Sequence, residues 1–180
     1  LQVLRCHRNQ LIFIQKPLLD LYFPLSNLMN LNRPLILASK SPRRKQILEN
    51  AGFSFIVKEK EIEEIYPLDL PIQDIPTYLS ELKANAFKDE LKNEIVLTAD
   101  TIVRIENQAL GKPKTQEEAI EMLHLLSGKK HEVITGITLV SKENKTTLSD
   151  VTEVYFKKLT SIEIDYYVHI FKPLDKAGAY

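Results

Sequence analysis

The 180-residue chain balances 24 basic against 24 acidic side chains, and 44% of its residues are apolar. That length suits one domain with a real hydrophobic core, and the zero net charge argues against a strongly basic nucleic-acid binder. The single cysteine, Cys6, excludes an internal disulfide framework and a cysteine-based zinc site and suits a reducing, cytoplasmic setting.

Residues 1–28 are apolar but broken by Lys16, Pro17, Asp20 and Pro24, too interrupted to span a membrane and without a clean signal-peptide core. The first methionine is Met29. The expectation is a leader or translated upstream sequence over 1–28 and a folded domain over 29–180. The stretch LILASKSPRRKQIL (35–48) then reads as a buried strand, a short turn and a helix, with Ser41 as N-cap, Pro42 at the first helical position and Gly52 as the stop. Ile47, Leu48 and Ala51 supply its apolar spacing. Arg43 and Arg44 stand in the first turn, where the helix dipole favours acidic residues. Either an anion is held there by backbone N–H groups, the Ser39 and Ser41 hydroxyls and the guanidinium groups, or both arginines face solvent or pair with carboxylates elsewhere.

Residues 53–57 read as a strand and 58–71 as an acidic, proline-punctuated loop containing Glu61, Glu63 and Glu64. Over 74–92, Ile75, Leu79, Leu82, Ala86 and Phe87 mark one helical face. Lys83, off that face, is expected in solvent. Residues 94–106 are strand material interrupted at Thr98–Ala99–Asp100, which puts Asp100 at a strand's C-terminal end, where open α/β sheets bind ligands. A carboxylate there can hold a metal or deprotonate water, or simply close a turn. Gly111-Lys112-Pro113 forms a turn presenting Lys112, either to phosphate or to solvent. Thr115 and Glu118 predict a capping box on a helix running to Gly128. Residues 131–142 and 146–159 read as two strands joined by a hairpin, and Ser161 caps a last helix ended by Pro173. The pattern is α/β with a mixed sheet. No GxxxxGK[ST] or GxGxxG motif occurs, so P-loop and Rossmann readings lack support. A hydroxyl- and arginine-rich helix start, a strand-end aspartate, a turn lysine and a carboxylate loop together suit a polyphosphate bound with Mg²⁺ or Mn²⁺ and attacked by water.

Ser39-Lys40-Ser41-Pro42-Arg43-Arg44, Lys83-Ala84, Ala99-Asp100-Thr101, Gly111-Lys112-Pro113, Ser127-Gly128-Lys129-Lys130-His131-Glu132-Val133 and Asp175-Lys176-Ala177-Gly178-Ala179-Tyr180 resemble, in order, the motifs of the Maf family. The resemblance runs from about residue 34 to Tyr180. It implies an elongated, two-lobed α/β fold around a cleft, related to the inosine triphosphate pyrophosphatases. It further implies metal-dependent hydrolysis of a nucleoside triphosphate to monophosphate and pyrophosphate. By motif, Asp100 becomes the catalytic carboxylate, and Arg43, Lys83 and Lys112 hold phosphates near Ser39. Ser41, Arg44 and Thr101 complete the substrate contacts. Glu64 joins Asp100 as a metal ligand, with Glu63 as the competing position.

Arg43, Thr101 and Tyr180 match the branch acting on dTTP and UTP, a nucleotide house-cleaning role, rather than the branch acting on 7-methyl-GTP or a purine relative. The family's older description, septum-formation inhibitors, supplies another reading, a non-catalytic regulator of cell division. No nucleic-acid or membrane partner is implied, and a homodimer follows by analogy. Family members continue past DKAGAY with GIQG, a substrate-site glutamine and further strand and helix. The expectation for this chain is therefore an incomplete C-terminus and an unpaired sheet edge.

Overall fold

The computed structural model describes residues 31–180; the leader expected over 1–28 lies outside the described residues. The chain groups into two compact units. One contains 31–101 and Thr135–Asp150, the other Ile102–Ile134 and Val151–Tyr180. Among the described residues six strands, β1 (Leu35–Leu37), β2 (Phe55–Val57), β3 (Ile95–Ile105), β4 (Gln108–Leu110), β5 (Lys130–Val140) and β6 (Lys145–Tyr155), form a mixed sheet of order β2-β1-β3-β5-β6, with β4 paired to β3.

In the first unit, Leu35–Leu37 forms β1, buried on both faces, which is why it reads as an unbroken apolar run. It pairs in parallel with β2 (Phe55–Val57) in register Leu35↔Phe55 and with β3 (Ile95–Ile105) in register Leu35↔Ile95. Helix α1 (Pro42–Asn50) starts as expected at Pro42, but the Ser41 hydroxyl makes no capping bond; the Ser41 N–H instead donates to Ser39 Oγ at 3.2 Å. At its other end Gly52, at φ +79°, bonds to Glu49 O while Phe53 N–H bonds to Leu48 O, a Schellman closure. The apolar spacing in α1 predicts a core face that does not form: no residue of α1 is buried, and Ile47 is 65% exposed.

Helix α2 (Ile75–Asn85) is shorter than its pattern. Phe87 and Leu91 still reach the core through a short 3₁₀ turn at Lys88–Glu90, packing with Ile36, Ala84, Val96 and Val140. The seat of α2 is close. A Cβ on Gly136 would lie 2.4 Å from the Pro76 carbonyl, so only glycine permits this approach. Buried hydroxyls complete it: Ser80 Oγ lies 2.8 Å from Thr138 Oγ1, and Thr98 Oγ1 donates to Ser80 O at 2.7 Å.

The interruption expected at 98–100 is absent: β3 runs unbroken through Asp100. Its partner stops instead. The last β1 pair is Leu37↔Leu97, and Ala38 N–H still bonds to Leu97 O, so Asp100 sits just beyond the end of the parallel pairing. A carboxylate can thus stand at the carboxyl end of a parallel ladder without ending its own strand.

Strands β5 (Lys130–Val140) and β6 (Lys145–Tyr155) meet at a tight turn in which Ser141 N–H donates to Asn144 O at 2.8 Å. Arg33 clamps that turn through a bidentate contact with Glu143.

In the second unit, β4 (Gln108–Leu110) pairs antiparallel with β3. Helices α3 (Gln116–Leu126) and α4 (Ser161–Phe171) share a core of Ala119, Met122, Leu123, Ile164 and Val168. The capping box predicted on α3 is half made: Thr115 Oγ1 accepts from Glu118 N–H, but the Glu118 carboxylate takes the Lys114 N–H. The complete box is on α4, where the cap is Thr160 rather than Ser161 and Glu163 reciprocates.

Candidate functional site

The core-packed α2 carries Lys83 toward β3. Its ammonium donates to Asp100 Oδ1 at 2.6 Å and lies 3.0 Å from Glu64 Oε1. The side chains of Lys83 and Asp100 are only 14% and 12% exposed, so the solvent position expected for Lys83 is corrected. The reason is the companion charge: two carboxylates compensate a desolvated ammonium. Of the neighbouring loop acids it is Glu64, not Glu63, that reaches this lysine.

Burial raises the Asp100 pKa above its ordinary value. The Lys83 charge and hydrogen bond pull it down, Glu64 pushes it up, and Arg44 pulls it down again; burial prevails. The result is a carboxyl group with enhanced proton affinity beside a fixed cation.

The two arginines of the α1 start separate. Arg44 turns inward: Nη1 donates to Ala99 O at 2.7 Å and to Ser39 Oγ at 3.3 Å, and Nη2 donates to Thr101 Oγ1 at 3.2 Å. It ties α1 to β3 on either side of Asp100 and replaces the missing apolar face of that helix. Arg43 is exposed, with no hydrogen bond or ion pair among the described residues. Of the alternatives posed by the sequence, Arg44 fits neither solvent nor carboxylate pairing; it bonds backbone and hydroxyl oxygens.

Ser39, Ser41, Arg44, Lys83, Asp100, Thr101 and Glu64 thus gather in the first unit. Lys112 belongs to the second, exposed in an irregular 111–113 segment rather than the expected turn, while Pro113 is buried and Gly111 O accepts from Gly178 N–H at 2.9 Å. One residue was missed from sequence. Thr135, on β5, places its Oγ1 3.1 Å from Thr101 Oγ1. A β-branched threonine in a strand carries no local signal beyond strand propensity, so only the cross-strand pairing exposes it.

Among the described residues no three His, Cys, Asp or Glu side chains gather as a metal cage. Asp100 and Glu64 supply two carboxylates, which is as many as a hard divalent cation such as magnesium usually takes from a protein.

The family model described as Maf-like protein matches residues 34–180. The chain is 48% identical over 149 residues to a dTTP/UTP pyrophosphatase of Cytophaga hutchinsonii, covering 83% of this chain and 68% of that one. It is 50% identical over 147 residues to a dTTP/UTP pyrophosphatase of Flavobacterium johnsoniae (81% and 76% covered) and 49% identical over 148 residues to one of Bacillus cereus (82% and 78%). In fold it is similar to the Staphylococcus aureus Ham1 protein, at TM-score 0.50 and 14% identity over 67% of this chain and 70% of that one. With the family model covering 147 residues that include every motif above, the chain belongs to the Maf-like family.

Proposed function

We propose that this chain hydrolyses the pyrimidine nucleoside triphosphates dTTP and UTP to nucleoside monophosphate and pyrophosphate. The observation that carries the reading is the buried Asp100–Lys83 pair, flanked by Glu64, in a chain about half identical to proteins named for that activity. In this mechanism Asp100 accepts a proton from water as the water oxygen bonds to the α-phosphorus. The bond from that phosphorus to the bridging oxygen breaks, and pyrophosphate leaves. The raised proton affinity of Asp100 suits the base, because a carboxylate at its ordinary pKa takes protons poorly at neutral pH. Lys83 keeps Asp100 ionised and oriented and holds phosphate oxygens. Arg43, whose guanidinium is uncommitted among the described residues, and Lys112 hold the remaining phosphate charge, with Ser39 and Ser41 beside the α1 N-terminus.

A divalent cation, Mg²⁺ or Mn²⁺, would be held by Asp100 and Glu64 and would supply neutralisation of the triphosphate charge. Arg44 and Thr101 position the substrate, and the inward hydrogen bonds of Arg44 favour this over the anion contact weighed for both arginines of the helix start. The reading puts the enzyme among cytoplasmic nucleotides; no described helix is long and apolar enough to cross a membrane.

The names of the relatives favour this over a 7-methyl-GTP or purine substrate and over a non-catalytic role in septum formation. The test is ion-exchange analysis of products after incubation with Mg²⁺ or Mn²⁺ and UTP, dTTP, CTP, GTP, ITP or 7-methyl-GTP. UMP and dTMP with equimolar pyrophosphate are expected. Release of inorganic phosphate with UDP, or a purine preference, would overturn the reading.

A further inference from the structure

Glu64 sits in an irregular segment that follows β2, with the acids Glu61 and Glu63 close beside it in sequence. Among the described residues, side chains 61–70 make one polar contact with the rest of the chain, the 3.0 Å approach of Glu64 to Lys83. Glu64 is 52% exposed, and an ion pair with one end in water contributes too little to order a loop by itself. The loop is held just before it. Lys60 Nζ donates to Ala86 O at 2.5 Å and to Glu90 Oε1 at 2.5 Å, and lies 4.9 Å from the centre of the Phe87 ring. Ala86 directly follows α2, so its carbonyl is among those a helix leaves unpaired, at the negative end of the helix dipole. Phe87 is buried in the core, which makes this seat rigid. Lys58 shares Glu90 at 2.6 Å but reaches no carbonyl, and its side chain is 49% exposed against 25% for Lys60.

Lys60 and Glu64 therefore grip the same end of α2, one at Ala86 and the other at Lys83, and the short segment between them is closed at both ends. Burial alternates along it: Lys60 and Ile62 are half-buried, whereas Glu61 and Glu63 are exposed. Where a chain alternates sides, residues two apart share a side, so turning Lys60 inward also directs Glu64 inward and sends Glu61 and Glu63 to water. We propose that Lys60 is a positioning residue that tethers the acidic loop to the end of α2 and so selects Glu64, over its acidic neighbours, as the carboxylate presented to the Lys83–Asp100 pair. The inference rests on the reading above, in which Asp100 and Glu64 hold a divalent cation. A tether of this kind orders the second carboxylate in advance, so less ordering remains to oppose cation binding.

The test uses the complete chain as wild type, Lys60→Met, Lys60→Arg, Lys58→Met, Glu64→Gln and the double variant Lys60→Met/Glu64→Gln. Methionine keeps most of the aliphatic stem and removes the donor; arginine restores a donor. The first readout needs neither metal nor nucleotide: the rate of cutting after Glu61, Glu63 or Glu64 by a glutamate-specific protease, with sites assigned by mass spectrometry. Lys60→Met is expected to be cut about tenfold faster, the size of one charge-assisted hydrogen bond, while Lys60→Arg and Lys58→Met are cut at the wild-type rate. The second readout is the Mn²⁺ concentration giving half-maximal UTP hydrolysis. Lys60→Met should raise it about tenfold with kcat at saturating Mn²⁺ within about twofold of wild type, and the double variant should be no worse than Glu64→Gln alone. Unaltered cutting in Lys60→Met, or penalties that add in the double variant, would overturn the proposal. Failure of the underlying reading is seen separately, as a wild type without UTP turnover; the cutting rates then still decide whether Lys60 holds the loop.

Discussion

Lys83 Nζ lies 2.6 Å from Asp100 Oδ1, joining the last turn of α2 to the middle of β3 across 17 residues of sequence. Both side chains are largely withdrawn from water, so neither charge is tolerable alone. The contact also gives the site its tunable element, because the proton affinity of Asp100 is set by opposing neighbours rather than by burial alone.

The first prediction follows from those neighbours. The Asp100 carboxyl, followed by NMR of its carboxyl carbon, should titrate above the ordinary aspartate value of 3.8. Glu64→Gln removes a negative neighbour and should move that titration down; Lys83→Met removes a positive one and should move it up. Titration below the ordinary value, or shifts of the opposite sign, would contradict the electrostatics described here.

Arg43 and Arg44 are adjacent in sequence yet should behave differently. Arg44→Ala removes the contacts to Ala99 O, Ser39 and Thr101, and is expected to cost about 1–3 kcal/mol in urea unfolding because three part-buried oxygens lose their donor. Arg43→Ala removes no hydrogen bond or ion pair among the described residues and should leave stability within about 0.5 kcal/mol while raising KM for UTP. Equal stability effects would mean that the inward and outward roles are misassigned.

Gly136→Ala tests the seat of α2. The added methyl would meet Pro76 and Thr77 backbone atoms at 2.4 Å, which no side-chain rearrangement relieves. A loss of about 1–3 kcal/mol is expected, together with lower activity, since the displaced helix carries Lys83. Unchanged stability would mean that the helix and strand are not so closely packed.

Acid should expose a further linkage. Lys58 and Lys60 both bind Glu90 and hold its pKa down at about 2. A depressed carboxylate stabilises the fold above its unfolded pKa, and that contribution fades as the pH falls from about 4.5 toward 2. Asp100 runs the other way: its raised pKa favours the folded state at low pH, and this contribution declines as the pH rises through the folded value. Glu90→Gln should therefore be less stable than wild type at pH 7, with the gap closing near pH 2. A gap that persists there would show that the loss is not electrostatic.

Local chemistry explains which features were legible in the sequence. Leu35–Leu37, Pro42 and Gly52 each announce a backbone state by themselves, and the structure forms the strand, helix start and helix end there. The ordered motifs brought Asp100 and Lys83 forward as candidates, the acidic loop added Glu64 with Glu63 competing, and the structure brings Asp100, Lys83 and Glu64 together. What local pattern could not supply were tertiary choices. The apolar residues of α1 stay outside because Arg44 anchors the helix by hydrogen bonds, and the polar Thr98–Ala99–Asp100 stretch stays in strand because its hydroxyl and carboxylate find partners on α2. Lys83 looked like a surface residue for the same reason: its partners lie 17 and 19 positions away. Thr135 was invisible until β5 lay beside β3.

The most direct measurement compares wild type with Asp100→Asn for release of UMP from UTP, alongside UTP binding by isothermal titration. Asparagine keeps the shape of the side chain but cannot take the proton of water. The expected result is a fall in turnover of about 10²–10⁴-fold with UTP binding retained. Turnover preserved in Asp100→Asn would contradict the role assigned to Asp100 and, with it, the chemistry built on the Lys83–Asp100 pair.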